Sequence, residues 1–235
     1  MLSIIIPTYN EEKTLPALLR SIKEQDFDDY EIIVADNQST DSTRKIAERS
    51  GARVVEGGLP GAGRNLGAKA AKGEKLLFLD ADVVLPHPRF FSNTMREFDR
   101  RAYDIATCKI IPLSEKRADR LFHWVYNHYS TKMKRVFPHA PGFCIFARRH
   151  IHEKIKGFDE DIKLAEDHDY TQRAVQHGNF GFLSEHIPVS VRRFDKEGRV
   201  KIAIKYIFCD IYMFFFGSVK NDIFKYRFGY HEDEE

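Results

Sequence analysis

The sequence predicts an α/β fold built on one mostly parallel sheet, and three observations carry that expectation. Strand-like and helix-like segments alternate through residues 1–82, the pattern of successive βαβ units. Leu2 to Ile6 is a largely β-branched apolar run closed by Pro7, as expected of a strand buried on both faces. Three strand-like segments end on polar groups, at Pro7-Thr8-Tyr9-Asn10-Glu11, at Asp36-Asn37 and at Asp80-Ala81-Asp82. In an open parallel sheet, ligands sit outside the carboxyl ends of the strands.

The elements follow in order. After the first strand, Leu15, Leu18, Leu19 and Ile22 recur at helical spacing. Glu31 to Ala35 is a second strand that ends on Asp36; Ser39 or Asp41 caps a helix running towards Gly51. Arg53 to Glu56 is a short third strand. A glycine-rich loop, Gly57 to Gly63, leads into an alanine-rich helix ending near Gly73, and Lys75 to Leu79 is the fourth strand. Beyond it the pattern loosens: a helix over Pro88 to Arg101, a strand over Ile105 to Ile111, and a long aromatic-rich helix over Arg117 to Arg135. A strand at Phe143 to Ala147, a helix at Asp167 to His177 and a strand at Ile187 to Val191 complete the sheet region. The last forty residues read as helices laid on the outside.

A length of 235 residues suits one domain, or a domain with an appendage. With 43% hydrophobic and 31% charged residues the chain buries a sizeable core, which excludes disorder, collagen, coiled coil and disulfide scaffolds. Thirty-seven Lys and Arg against thirty-five Asp and Glu leave +2, so no global basic field argues for nucleic acid. Cys108, Cys144 and Cys209 are odd in number and widely spaced, which implies neither a disulfide framework nor a zinc ribbon, and suits a reducing, cytoplasmic interior. The N-terminal run lacks the basic segment of a signal peptide. The longest apolar stretch, Ile202 to Val219, is interrupted by Lys205, Asp210 and Gly217 and makes a poor membrane span.

Two carboxylates at the end of the fourth strand, Asp80 and Asp82, suit a hard cation such as Mg2+ or Mn2+, which in turn binds a diphosphate. The competing reading is that they cap the helix after Pro86-His-Pro; the polar ends of the neighbouring strands favour the site. Gly61 and Gly63 have the spacing Gly-x-Gly-x-x-x-Gly, which is not a dinucleotide fingerprint, and Arg64-Asn65 stands where a P-loop needs Lys-Ser/Thr. His186 is a lone histidine, and His150-x-His152 and His123-x4-His128 lack zinc spacing. Glu166, Asp167 and Asp169 open a helix, where acidic groups favour the dipole in any case; a carboxylate aimed into the cleft would accept a proton.

Taken together, Ile4-Ile-Ile-Pro-Thr-Tyr-Asn-Glu-Glu, Asp36-Asn-Gln-Ser-Thr-Asp, Gly61-Ala-Gly-Arg-Asn-Leu-Gly-Ala, Gly73-Glu-Lys-Leu-Leu-Phe-Leu-Asp-Ala-Asp, and Gly157-Phe-Asp-Glu followed by Glu166-Asp167 resemble family 2 glycosyltransferases of the GT-A fold. The resemblance covers residues 2 to 195 and implies a GT-A domain over 1–195, with a nucleotide-binding half (1–82) and an acceptor half (83–195), followed by a C-terminal helical extension (196–235). It implies that Pro7, Thr8, Tyr9 and Glu11 line the nucleoside pocket, that Asp36 bonds the nucleobase, and that Arg64 holds the base or a neighbouring loop. Asp80 would approach the ribose, Asp82 the metal (Mg2+ or Mn2+), and Asp167 would be the general base. Asn37-Gln38 replaces the commoner Asp-Gly or Asn-Ser of that turn. Arg64 is equally suited to a structural tie to Asp36 or Glu11.

The implied reaction is inverting transfer from a UDP- or GDP-sugar to a glycan or lipid-linked acceptor hydroxyl. Rival readings are a polyprenyl-phosphate sugar synthase, a nucleotidyltransferase, and a non-catalytic nucleotide- or glycan-binding subunit. Arg192 and Arg193 lie in a mobile-looking basic segment suited to the donor diphosphate or to simple solvation. The aromatic tail, with Tyr206, Phe208, Tyr212 and Phe214 to Phe216, would pack on the domain, form a homodimer contact or lie at the inner face of a membrane. Glu232 to Glu235 reads as a disordered acidic end.

Overall fold

In the computed structural model, which describes residues 1–220 and Ile223, the first half runs β1 (Leu2–Thr8), α1 (Leu15–Lys23), β2 (Tyr30–Asp36), α2 (Thr43–Arg49), β3 (Arg53–Glu56), α3 (Pro60–Ala70), β4 (Lys75–Leu79) and α4 (Phe90–Arg100). The second half runs β5 (Ile105–Pro112), α5 (Arg117–Met133), β6 (Cys144–Arg148), α6 (Arg149–Lys154), α7 (Glu166–Ala174), β7 (Phe180–Val189), α8 (Arg192–Glu197) and α9 (Arg199–Phe216). The seven strands form one sheet in the order β3-β2-β1-β4-β6-β5-β7. Only β6 is reversed, pairing antiparallel with both β4 and β5.

Side-chain alternation along the central strands explains the two layers of helices. Ile4, Ile6, Leu77 and Leu79 face one core with Leu15, Leu18 and Phe91 of α1 and α4. Ile5, Leu76 and Phe78 face the other, with Ala68, Phe158 and Tyr170. Gly67 is required where α3 crosses β1, because a Cβ there would come within 2.4 Å of Ile5. The N-cap of α2 is Ser42, neither Ser39 nor Asp41, and its side chain makes no capping bond; Asp41 turns the chain just before it, its Oδ1 accepting the Thr43 N–H at 2.9 Å, and Gly51 follows the helix with φ +81°.

Four elements differ from expectation. The glycine-rich loop is already helical from Pro60, since proline suits a first helical position. β7 begins at Phe180, not Ile187, because pairing with β5 continues across a bulge between Thr107 and Lys109. The short α6 has little apolar periodicity of its own. Arg192 to Glu197 is a helix, not a loop, and α8 therefore straddles the boundary drawn after residue 195.

α9 packs through Ile202, Cys209 and Met213, and Cys209 and Met213 join Phe137, Leu164 and Val219 in a small core of their own. Among the described residues no helix is long and apolar enough to cross a membrane. Glu232 to Glu235 lies outside the described residues.

Candidate active site

Parallel strands deliver Thr8, Asp36 and Asp80 to one edge of the sheet. Reversal of β6 brings its amino end to the same edge, with Cys144 opposite Leu79, so that Gly142 also arrives there. Val83 bridges to Val189, which places the segment after β7, and Arg192 with it, beside the turn that follows β4.

Asp36 is fully buried. Its Oδ1 accepts the hydroxyls of Thr8 (3.0 Å) and Ser39 (2.5 Å), and its Oδ2 accepts the Ser39 N–H (3.1 Å) and Arg44 (3.3 Å). Ser39 also meets the Asn10 N–H at 2.8 Å, so the β1 and β2 turns are locked together. Pro7 lies half-buried against α3, a Cβ on Gly63 falling 3.2 Å from its own, whereas Tyr9 is exposed at the rim. Glu11 accepts the Thr14 hydroxyl at 2.5 Å and Arg192 at 2.8 Å.

Arg64 does not tie to Asp36 or Glu11. Its buried guanidinium forks between Asp80 (2.8 Å) and Glu166 (2.6 Å), the planar geometry that arginine offers and lysine does not. Burial works against its charge, but Asp80, Glu166 and Asp167 outweigh that and raise its pKa. Burial raises the Glu166 carboxyl in turn, opposed by Arg64. Gly142 is essential to this packing: a Cβ would sit 2.5 Å from Arg64 Nη2 and 3.4 Å from the Asp167 carboxylate. Asp167 accepts the Gly142 N–H at 2.6 Å and the His168 N–H at 2.9 Å. Asp80, Arg64, Glu166, Gly142 and Asp167 thus form one contiguous wall, and sequence reasoning assigned no role in it to Glu166 or Gly142.

Asp82 is half-buried in the same cleft. Burial pushes its carboxyl up to about 6, Arg192 opposes the shift, and Asp80 and Glu11 reinforce it. Arg192 Nε stands 3.3 Å away. A carboxylate this poorly solvated, among other carboxylates and already facing a positive group, fits Mg2+ or Mn2+, which are held by one or two carboxylates and complete their shells with phosphate and water. Among the described residues no group of three His, Cys, Asp or Glu forms an all-protein metal site. His186 is exposed within β7, opposite Lys109. Arg193 stands 3.9 Å from Glu197 within α8.

Residues 3–156 match glycosyl transferase family 2. Over 188 residues the chain is 27% identical to poly(ribitol-phosphate) beta-N-acetylglucosaminyltransferase TarS of Staphylococcus aureus (strain Mu50), a match spanning 75% of this chain and 33% of TarS. The chain therefore spans about a third of that relative's length. It is 38% identical over 91 residues to the Escherichia coli UDP-Glc:alpha-D-GlcNAc-diphosphoundecaprenol beta-1,3-glucosyltransferase WfgD, covering 36% of each chain. In three dimensions it resembles S. aureus TarS 1-349 in complex with UDP-GlcNAc, with a TM-score of 0.66, 23% identity and coverage of 90% and 66%. It also resembles the Pyrobaculum calidifontis mannosyltransferase PcManGT in complex with GDP-Man and Mn2+, with a TM-score of 0.69, 22% identity and coverage of 88% and 60%. These likenesses are of fold, and the fold is GT-A. With the match running from β1 through α6, the chain belongs to glycosyl transferase family 2.

Proposed function

We propose that the chain transfers a sugar from a nucleoside-diphosphate sugar to an acceptor hydroxyl, with inversion at the anomeric carbon. The observation that carries this reading is the Arg64 fork. It joins Asp80, on the nucleotide side, to Glu166, whose neighbour Asp167 presents a carboxylate held by two backbone N–H groups. The fork would hold a donor site and a proton acceptor on one wall, as positional catalysis requires.

Pro7, Thr8, Tyr9 and Glu11 line the nucleoside pocket, with Asp36 at its floor. Since Ser39 occupies both Asp36 oxygens, a base N–H reaches the carboxylate when Ser39 gives way. Asp82, with Asp80 beside it, would hold Mg2+ or Mn2+; when bound, the ion offsets charge on the donor diphosphate. Arg192 and Arg193 add positive charge at the same phosphates. The acceptor oxygen forms the new bond to the anomeric carbon from the face opposite the diphosphate, the proton passes to Asp167, and the sugar–phosphate bond breaks to release a nucleoside diphosphate. UDP- and GDP-sugars are the donors that the TarS and PcManGT complexes suggest, and WfgD suggests a glycan on a lipid diphosphate as the acceptor. The work would be done in the cytoplasm, at the inner face of the membrane.

The test is product release from UDP-GlcNAc, UDP-Glc and GDP-Man in the presence of lipid-diphosphate saccharides. Transfer with release of UDP or GDP, lost about 100- to 10,000-fold in Asp167→Asn with unchanged nucleotide affinity, is the expected outcome. Release of pyrophosphate would identify a nucleotidyltransferase. Undiminished transfer to a polyprenyl phosphate by Asp167→Asn would identify a synthase that needs no base. Nucleotide binding without turnover on any acceptor would identify a binding subunit.

A further inference from the structure

The outer side of α9 has no role in the cleft. At 100° per residue, Ile204, Ile207, Phe208, Ile211, Phe214 and Phe215 fall within an arc of about 120°, and each is between 47% and 71% exposed. The opposite side carries the buried Ile202, Cys209 and Met213. A helix that is apolar on both sides needs cover on both. α5 runs beside it: Arg199 bonds Asp119 near the starts of the two helices (3.0 Å), and the Phe137 and Phe214 rings meet near their ends at 6.3 Å. α5 adds Leu121, Trp124 and Val125, all more than half exposed.

Charge identifies the occupant. Residues 117–135 and 199–216 contain eight Lys or Arg and two Asp, although the whole chain carries +2. Arg199, Arg120 and Lys205 are paired with Asp119, Glu115 and Glu197, and Asp210 is set 3.6 Å from His168 of α7, which leaves the excess of positive charge to Arg117, Lys132, Lys134, Arg135 and Lys201. Lys132, Lys134, Arg135 and Lys201 are exposed. A second copy of the same face would oppose like charges, whereas an anionic lipid surface complements them. We propose that α9, flanked by α5, docks in the plane of an anionic bilayer, its aromatic side inserted at the headgroup boundary. α9 rests on α7 through Asp210–His168, and Ser218 just beyond it bonds Asp169 at 2.6 Å. Docking therefore brings the Asp167 end of the cleft next to the bilayer.

The experiment is flotation of the full chain with phosphatidylcholine vesicles, with and without one-quarter phosphatidylglycerol. Trp124 is the sole tryptophan and reports in parallel. Flotation with the anionic vesicles alone is expected, weakened by salt, together with a blue shift of Trp124 emission. Phe208→Ser/Phe215→Ser should lower binding by at least about tenfold while melting as the wild type does. Should that variant fail to fold, Lys132→Glu/Lys134→Glu, on an exposed rim, should lower it several-fold. Protein that stays at the bottom with both vesicles overturns the proposal. So does equal binding to neutral vesicles, or a dimer in solution that Phe208→Ser/Phe215→Ser dissociates without any flotation.

Discussion

Arg192 Nε lies 3.3 Å from a carboxylate oxygen of Asp82, while Nη2 of the same guanidinium reaches Glu11 at 2.8 Å. Its place between the two acids keeps positive charge at the spot where the proposed donor diphosphate would bring negative charge. Arg192→Ala should weaken nucleoside-diphosphate binding about 10- to 100-fold, the loss expected of a charge-assisted hydrogen bond. Titration calorimetry with UDP and GDP measures it, and unchanged affinity would remove Arg192 from the phosphate site.

The Arg64 fork should matter more to stability than to binding. Arg64→Ala leaves the buried Glu166 without its partner, a change that costs about 3–5 kcal/mol and lowers the melting temperature by roughly 10 °C in a chain of this size. Pairing the change with Glu166→Gln should recover a large part of the loss, since no buried charge is then stranded. A single variant that melts with the wild type would contradict the fork's structural role.

Acid should destabilise the fold through its buried histidines. His152 lies against Phe78 and Phe158 and bonds the Tyr170 hydroxyl at 3.1 Å; burial, then Arg149 and Arg173, push its pKa down to about 4. Burial, with His168 next, pushes His139 down to about 4 as well. The unfolded chain titrates near 6.5, so it binds more protons than the native state between about 6.5 and 4. The contribution is complete above 6.5 and is lost as pH falls towards 4. For His152 the upper bound is on the order of 3 kcal/mol. Urea melts of wild type and His152→Gln across that range should converge as pH falls, and parallel curves would refute the assignment.

Much of this arrangement was legible in the sequence because a parallel sheet sends its strand ends to one edge. Asp36, Asp80 and Asp82 announce themselves by following apolar runs. Gly142 and the Arg64–Glu166 pair do not: Gly142 reaches the cleft because β6 is reversed beside β4, Arg64 and Glu166 meet from helices 102 residues apart, and a single sequence carries no trace of either contact. α8 leaves little helical signal for a related reason: it buries no side chain, and Arg192 is anchored by Glu11, 181 residues away. The tail's aromatic content was visible, but the division of α9 into a packed side and a bare one required the fold.

A thermal-shift series with UDP and GDP, each with and without Mn2+, measures whether nucleotide binding at the proposed Asp82 site depends on a cation. At about 100 times the dissociation constant, a ligand bound by the native state adds about 2.7 kcal/mol, a rise of roughly 5–10 °C for this chain. Such a rise is expected with one diphosphate in the presence of Mn2+, and it should disappear in Asp82→Asn. A rise that is indifferent to the ion, or that persists in Asp82→Asn, would contradict that dependence.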